Sequence, residues 1–218
     1  SKKITKKLLD SSLARTQLAE KLNAAAHQSL KKKEGGVAIY YKGRTAKAIN
    51  IDTSTSSLAV ILRAFLGTVK EGDYVYLSPY TYDSTGLQDV FSRIRTDIRN
   101  NHSSHPATLF GIGSKCQHSD NQLNNATDQG VEIVFTFDIP EGADMAIPGR
   151  NYTLSQENMA HALGTIGALE EKNRRVIRIH LSDDYRQNPE KIRVLFENAL
   201  RTLSPLNIHK PIGIDTDL

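Results

Sequence analysis

Two apolar runs constrain this chain most. In "GVEIVFTFDI" (130–139) apolar residues fill most positions rather than every second one. A strand of that kind is covered on both faces, which calls for helices on either side of a sheet. In "VIRIHLS" (176–182) Ile177, Ile179 and Leu181 alternate with Arg178 and His180. One face of that strand is therefore apolar, and the other carries His180 as a polar partner. With helical patterns following such strands, the fold class is α/β.

Around these runs the chain reads as a duplicated strand–strand–helix–strand–helix unit preceded by a basic N-terminal helix. Residues 1–35 form the arm, 36–101 the first unit, 102–129 a connecting strand and polar loop, 130–204 the second unit and 205–218 a tail. The first unit opens with "GVAIYYKGRTAKAINID", read as two strands about a turn at Lys42–Arg44. "TSTSS" then caps the helix "SLAVILRAFLGTVKEG", "DYVYLSPY" is a strand, and Leu87, Val90, Phe91, Ile94 and Ile98 line one face of a second helix. The second unit opens with "GVEI", continues through the helix "TLSQENMAHALGTIGALEEKNRR", and ends on a helix with Asn188 as N-cap and Pro189 in its first turn. The matched openings and the shared order of elements point to duplication.

The chain has 218 residues, enough to bury a sizeable core. No apolar run approaches the roughly 20 residues that span a bilayer, and "SKKITKK" is not followed by an apolar leader, so the expectation is an intracellular, cytoplasmic protein with no membrane partner. The one cysteine, Cys116, excludes an internal disulfide and a multi-cysteine zinc site. It sits beside His118 in the polar "SKCQHSD", a loop composition rather than that of a nucleophile's pocket.

Charge is segregated. Residues 1–33 hold nine Lys/Arg against Asp10 and Glu20, a net +7 in a chain whose total is +4. Leu8, Leu9, Leu13, Leu18 and Leu22 give this arm an apolar stripe, and Lys31 to Lys33 are expected at the helix C-terminus, where the macrodipole favours cations. The leading functional expectation is a non-enzymatic protein that binds RNA or single-stranded DNA, without cofactor. Lys2, Lys3, Lys6, Lys7, Lys31, Lys32 and Lys33 would meet phosphates. Tyr40, Lys42, Arg44 and Lys47 would add a stacking and basic patch at the predicted hairpin, with Tyr41, Tyr74, Tyr76, Tyr80 and Tyr82 nearby.

The order of "GVAIYYKGRTAKAINIDTSTSSLAVILRAFLGTVKEGDYVYLS" resembles the middle of ribonuclease H over about 60 residues. That family carries carboxylates on its first strand, its first helix and the end of the next strand, where they hold two magnesium ions. The resemblance implies a catalytically empty first unit, because "SSLAVI" and "SPYTY" lack acids. In the second unit Asp138, Glu157, Asp183 and Asp184 occupy the corresponding kinds of place. A magnesium-dependent nuclease or phosphotransferase using these four acids is the alternative function. A viral or phage structural protein, forming homo-oligomers through the stripe of the N-terminal helix, is a third.

Overall fold

The computed structural model describes residues 1–81, 85–113, 126–140 and 142–201. Its elements, in chain order, are α1 Lys2–Leu8, α2 Arg15–His27, β1 Leu30–Glu34, β2 Val37–Tyr40, α3 Gly43–Ile49, α4 Leu58–Leu66, β3 Tyr74–Tyr80, α5 Thr85–Asn101, β4 Ala107–Phe110, β5 Gly130–Phe137, α6 Leu154–Glu171, β6 Arg175–Leu181, α7 Asp183–Gln187 and α8 Glu190–Leu200. One six-stranded sheet has the order β1-β2-β6-β5-β3-β4. β4, β3, β5 and β6 run parallel, and β2 and β1 extend the sheet antiparallel beyond β6. The α/β class read from the sequence is what forms.

Period-2 alternation sends two different surfaces to the two sides of the sheet. Val75 and Leu77 of β3, Val131, Ile133, Phe135 and Phe137 of β5, and Ile177, Ile179 and Leu181 of β6 enter the main core. There they meet α4, α5 and α8, with Phe91 edge-on to Phe135 at 4.7 Å and Phe196 beyond it at 6.0 Å. The five apolar positions predicted for one face of α5 are all buried. Each such side chain contributes about 1.5–3 kcal/mol of burial, so this layer dominates stability.

The opposite face is covered by α6, α1 and α2. Thr153 and Gln156 start α6 with a reciprocal capping box. The helix is rich in small residues, and α1 lies directly on it: a Cβ at Gly164 would fall 2.1 Å from Thr5 Oγ1. Leu18 and Leu22 of α2 pack with Tyr152 and Ala160, flanked by Leu8, Leu9 and Leu13. The arm's stripe is thus spent on the chain's own body.

Several expectations need correction. Residues 1–35 are not one helix: α1 and α2 are separate, and Lys31 to Lys33 lie in the edge strand β1. Edge strands commonly carry lysine, because charge discourages pairing with another chain. The hairpin turn is not Lys42–Arg44 but Gly35–Gly36, both with positive φ (54° and 80°). "GRTAKAI" is helix α3, so the strand pair that carried the resemblance to ribonuclease H is not formed. The duplicated strand–strand opening is absent too. β2 runs antiparallel to β6 while β5 runs parallel to it, and between β5 and α6 only an isolated bridge, Ala146 to Thr153, appears among the described residues. The expected connecting strand is β4. Tyr82, Cys116, His118 and the 205–218 tail lie outside the described residues.

Candidate binding cleft at the carboxyl ends of β5 and β6

The sheet's second face is unusually polar toward one end. Register places Ala38, His180, Thr136 and Tyr80 in one row across β2, β6, β5 and β3, and Tyr40, Arg178, Val134 and Ser78 in the next. Parallel pairing of β5 with β6 brings residues 44 apart in sequence side by side. Thr136 Oγ1 lies 3.0 Å from His180 Nδ1 and accepts from Arg178 Nη1 at 3.2 Å. His180 Nε2 is 2.9 Å from Asp138 Oδ1. With the ring proton on Nε2 every role closes: His180 donates to Asp138, Thr136 donates to His180, and Arg178 donates to Thr136. Arg178 also donates to the Ala26 carbonyl in the last turn of α2 and stacks on the Tyr40 ring, 3.7 Å from its centroid.

The electrostatics follow from these contacts. The hydrogen bond from His180 holds the Asp138 carboxyl below the usual carboxylate range against the upward pull of burial, and the nearby charge of Lys33 acts in the same direction as the hydrogen bond. Burial pulls the Arg178 guanidinium down to about 10.

Above this row is a cleft of about 580 Å³, within the range of small-molecule sites. Gly36, Ala38, His180 and Ser182 form its floor, and the small Gly36 and Ala38 leave the space open. α2 supplies one wall through Ala19, Asn23 and His27; Asp144, Ser155 and Met159 supply the other; Lys33 stands at the edge. Asp144 is already engaged, accepting from the Ser155 amide at 3.1 Å and from its hydroxyl. A crevice at the ends of β3 and β5 shares Phe137, Ile139, Ser155 and Met159 with the cleft. Between β3 and β5 the chain's connections diverge, from β3 to β4 on one side and from β5 to β6 on the other: the switch point at which open α/β sheets bind ligands.

Both ring nitrogens of His180 are engaged, and Thr136 is 1% exposed with its hydroxyl used in both directions.

The residues expected to meet nucleic acid are dispersed. Lys2, Lys3, Lys6 and Lys7 are exposed on α1, and Lys47 on α3. Lys31 lies over Tyr41, 5.5 Å from its centroid. Lys32 approaches Glu34 at 4.0 Å and donates to the Ser54 carbonyl at 3.4 Å. Lys42 pairs with Glu170 at 3.1 Å, and Arg44 with Asp128. Tyr40, Tyr41, Tyr76 and Tyr80 are buried in the sheet's two faces and offer no stacking platform.

The four acids do not form one cluster, although Asp183 feels the charge of Asp138. Asp138 faces His180; Glu157 sits in the first turn of α6 near His161; Asp183 binds Arg186 at 2.7 Å; Asp184 binds Lys191. Among the described residues no three His, Cys, Asp or Glu side chains form a group that could hold a metal ion. Sequence reasoning missed Thr136 and the roles of Arg178 and Lys33. Its usable signals were the strand-end acid Asp138 and the polar pair Arg178 and His180 within an otherwise apolar strand.

No family model and no curated protein matches the chain. Among solved structures, the chain is similar to the crystal structure of a hypothetical protein, TT0462, from Thermus thermophilus. The TM-score is 0.53 at 16% identity, over 73% of this chain and 41% of that one. The likeness is one of fold, and the chain spans less than half the length of that protein. Among the described residues no helix is long and apolar enough to cross a membrane.

Proposed function

We propose that this chain is a non-enzymatic binding domain whose cleft takes a small polar molecule between α2 and the carboxyl ends of β5 and β6. The observation that carries this is the polar row itself. Asp138, His180, Thr136 and Arg178 form one hydrogen-bonded chain, and Asp138, His180 and Arg178 line the 580 Å³ cleft, on a face otherwise covered by helices. Polar groups kept at such a place, and held rigidly by neighbours, suit recognition. The test is a thermal-shift screen of polar metabolites on the wild type and on Ala19→Trp, which fills the cleft from the partly exposed wall of α2. Binders should appear with the wild type and vanish with the variant. Binders that ignore Ala19→Trp contradict the reading.

A second reading, RNA or single-stranded DNA binding, keeps one specific support. Lys2, Lys3, Lys6 and Lys7 are exposed on α1 while its apolar side packs inward. Replacing all four by Gln should reduce the salt dependence of oligonucleotide binding, because each phosphate neutralised contributes to the slope. An unchanged slope removes this reading.

A further inference from the structure

Two arginines are buried in this fold, and they are compensated differently. Arg175, 5% exposed, has Asp73 at 2.8 Å and also donates to the Thr68 carbonyl at 2.5 Å. That is the ordinary way to bury a cation: give it a carboxylate. Arg178, 3% exposed, makes no ion pair among the described residues. Its contacts are a carbonyl, a hydroxyl and an aromatic ring: Ala26, Thr136 and Tyr40. The carboxyl end of α2 brings it only the partial negative charge of a helix dipole. Burial without a counter-charge is also what depresses its affinity for the proton.

Arg178 is part of the cleft's lining, and the cleft's own acids do not answer it. Asp138 is taken by His180 and Asp144 by Ser155. Lys33, exposed at the edge of the same space, adds a second cation. We propose that the ligand of the cleft is a small organic anion bearing a phosphate or carboxylate group, which supplies the negative charge that Arg178 lacks, with Lys33 holding its outer part. This rests on the reading of the cleft as a ligand site. A guanidinium and an ammonium at different depths fit such a molecule: the first offers directed donors, the second a mobile point charge. The volume exceeds what a bare ion fills, leaving Ala38, Ile139 and Met159 to face an organic body.

The experiment is calorimetric titration of the full chain with AMP, glucose phosphate, citrate and inorganic phosphate, against adenosine and glucose. At least one organic anion is expected to bind about tenfold or more tighter than its neutral counterpart, a difference of about 1.4 kcal/mol. Inorganic phosphate should bind more weakly than that organic anion; equal binding would place the charge in a simple ion site and overturn the organic part of the proposal. Lys33→Ala should weaken the anion at least severalfold with an unchanged melting temperature. Arg178→Met should abolish its binding; if that variant fails to fold, Arg178→Lys and Lys33→Ala carry the test, both being expected to weaken the anion and not the neutral compound. Neutral compounds binding as tightly as anions, with both lost in Ala19→Trp, would overturn the anion and leave the cleft. No binding by any of the six, or binding indifferent to Ala19→Trp, would overturn the cleft and the anion together.

Discussion

Asp138 is the residue whose surroundings say most about pH. Its folded-state pKa is depressed, first by the hydrogen bond from His180. A depressed carboxylate stabilises the fold above its unfolded pKa, about 3.9, and that stabilisation is lost as pH falls through the lower folded value. Asp138→Asn cannot titrate. The stability gap between wild type and Asp138→Asn should therefore be full near pH 5 and should shrink steadily toward about pH 2. Urea midpoints at successive pH values measure it, and a gap that stays constant would show that the His180 contact adds nothing. At the same scale, Gly164 is glycine because α1 leaves no room for a side chain: a Cβ would meet Thr5 Oγ1 at 2.1 Å and the Ser1 carbonyl at 3.2 Å. Gly164→Ala should cost about 1–3 kcal/mol as overpacking and speed amide exchange in α1. Unchanged exchange would mean that the contact is not one the helix needs. Asp138 and His180 were both legible in the sequence, one as a strand-end acid and the other as the polar side of an alternating strand. Their meeting was not legible, since it depends on β5 and β6 being parallel neighbours.

Elements with strong periodic patterns were readable. α5, α6, β5 and β6 form where apolar spacing and caps place them, while α8 starts one residue later than expected, with Pro189 as its N-cap and Asn188 as the C-cap of α7. The misread elements are short and depend on context. "LKKKE" has no strand pattern of its own and becomes β1 by pairing with β2, Leu30 to Tyr40 and Glu34 to Val37. "GRTAKAI" has alternation enough for a strand, but Thr45 exchanges hydrogen bonds with both backbone groups of Val176, at 3.0 Å each, and fixes α3 at the start of β6. In α2 the burial of Leu18 among Leu22, Tyr152 and Ala160 holds the helix over the cleft. Leu18→Ala should lower stability by about 2–5 kcal/mol, seen as a fall in the urea midpoint. Changing Lys2, Lys3, Lys6 and Lys7 to Gln should leave stability within about 0.5 kcal/mol per site. A Leu18→Ala variant as stable as wild type would mean that α2 is not docked as described.

At the scale of the molecule, one sheet separates two kinds of interior. One side is a largely apolar layer under α4, α5 and α8; the other is a partly polar layer under α1, α2 and α6, opening into the cleft. The covered strands made the layering legible. The cleft was not, because its floor comes from β2, β5 and β6 and its wall from the arm, segments far apart in sequence with no shared motif. Matching openings "GVAI" and "GVEI" suggested a duplication, but the two strands run in opposite directions relative to β6. Similar strand openings arise wherever a glycine precedes an apolar run, and that is what the match amounts to here.

The central claim is that the polar end of this sheet holds a small anion. Backbone amide NMR of the full chain, titrated with AMP and then with citrate, tests it most directly. Saturable shifts are expected at Gly36, Ala38, His180 and Ser182 and along α2, absent in Ala19→Trp. Shifts confined to the lysines of α1, or none at the carboxyl ends of β5 and β6 with either compound, would contradict it.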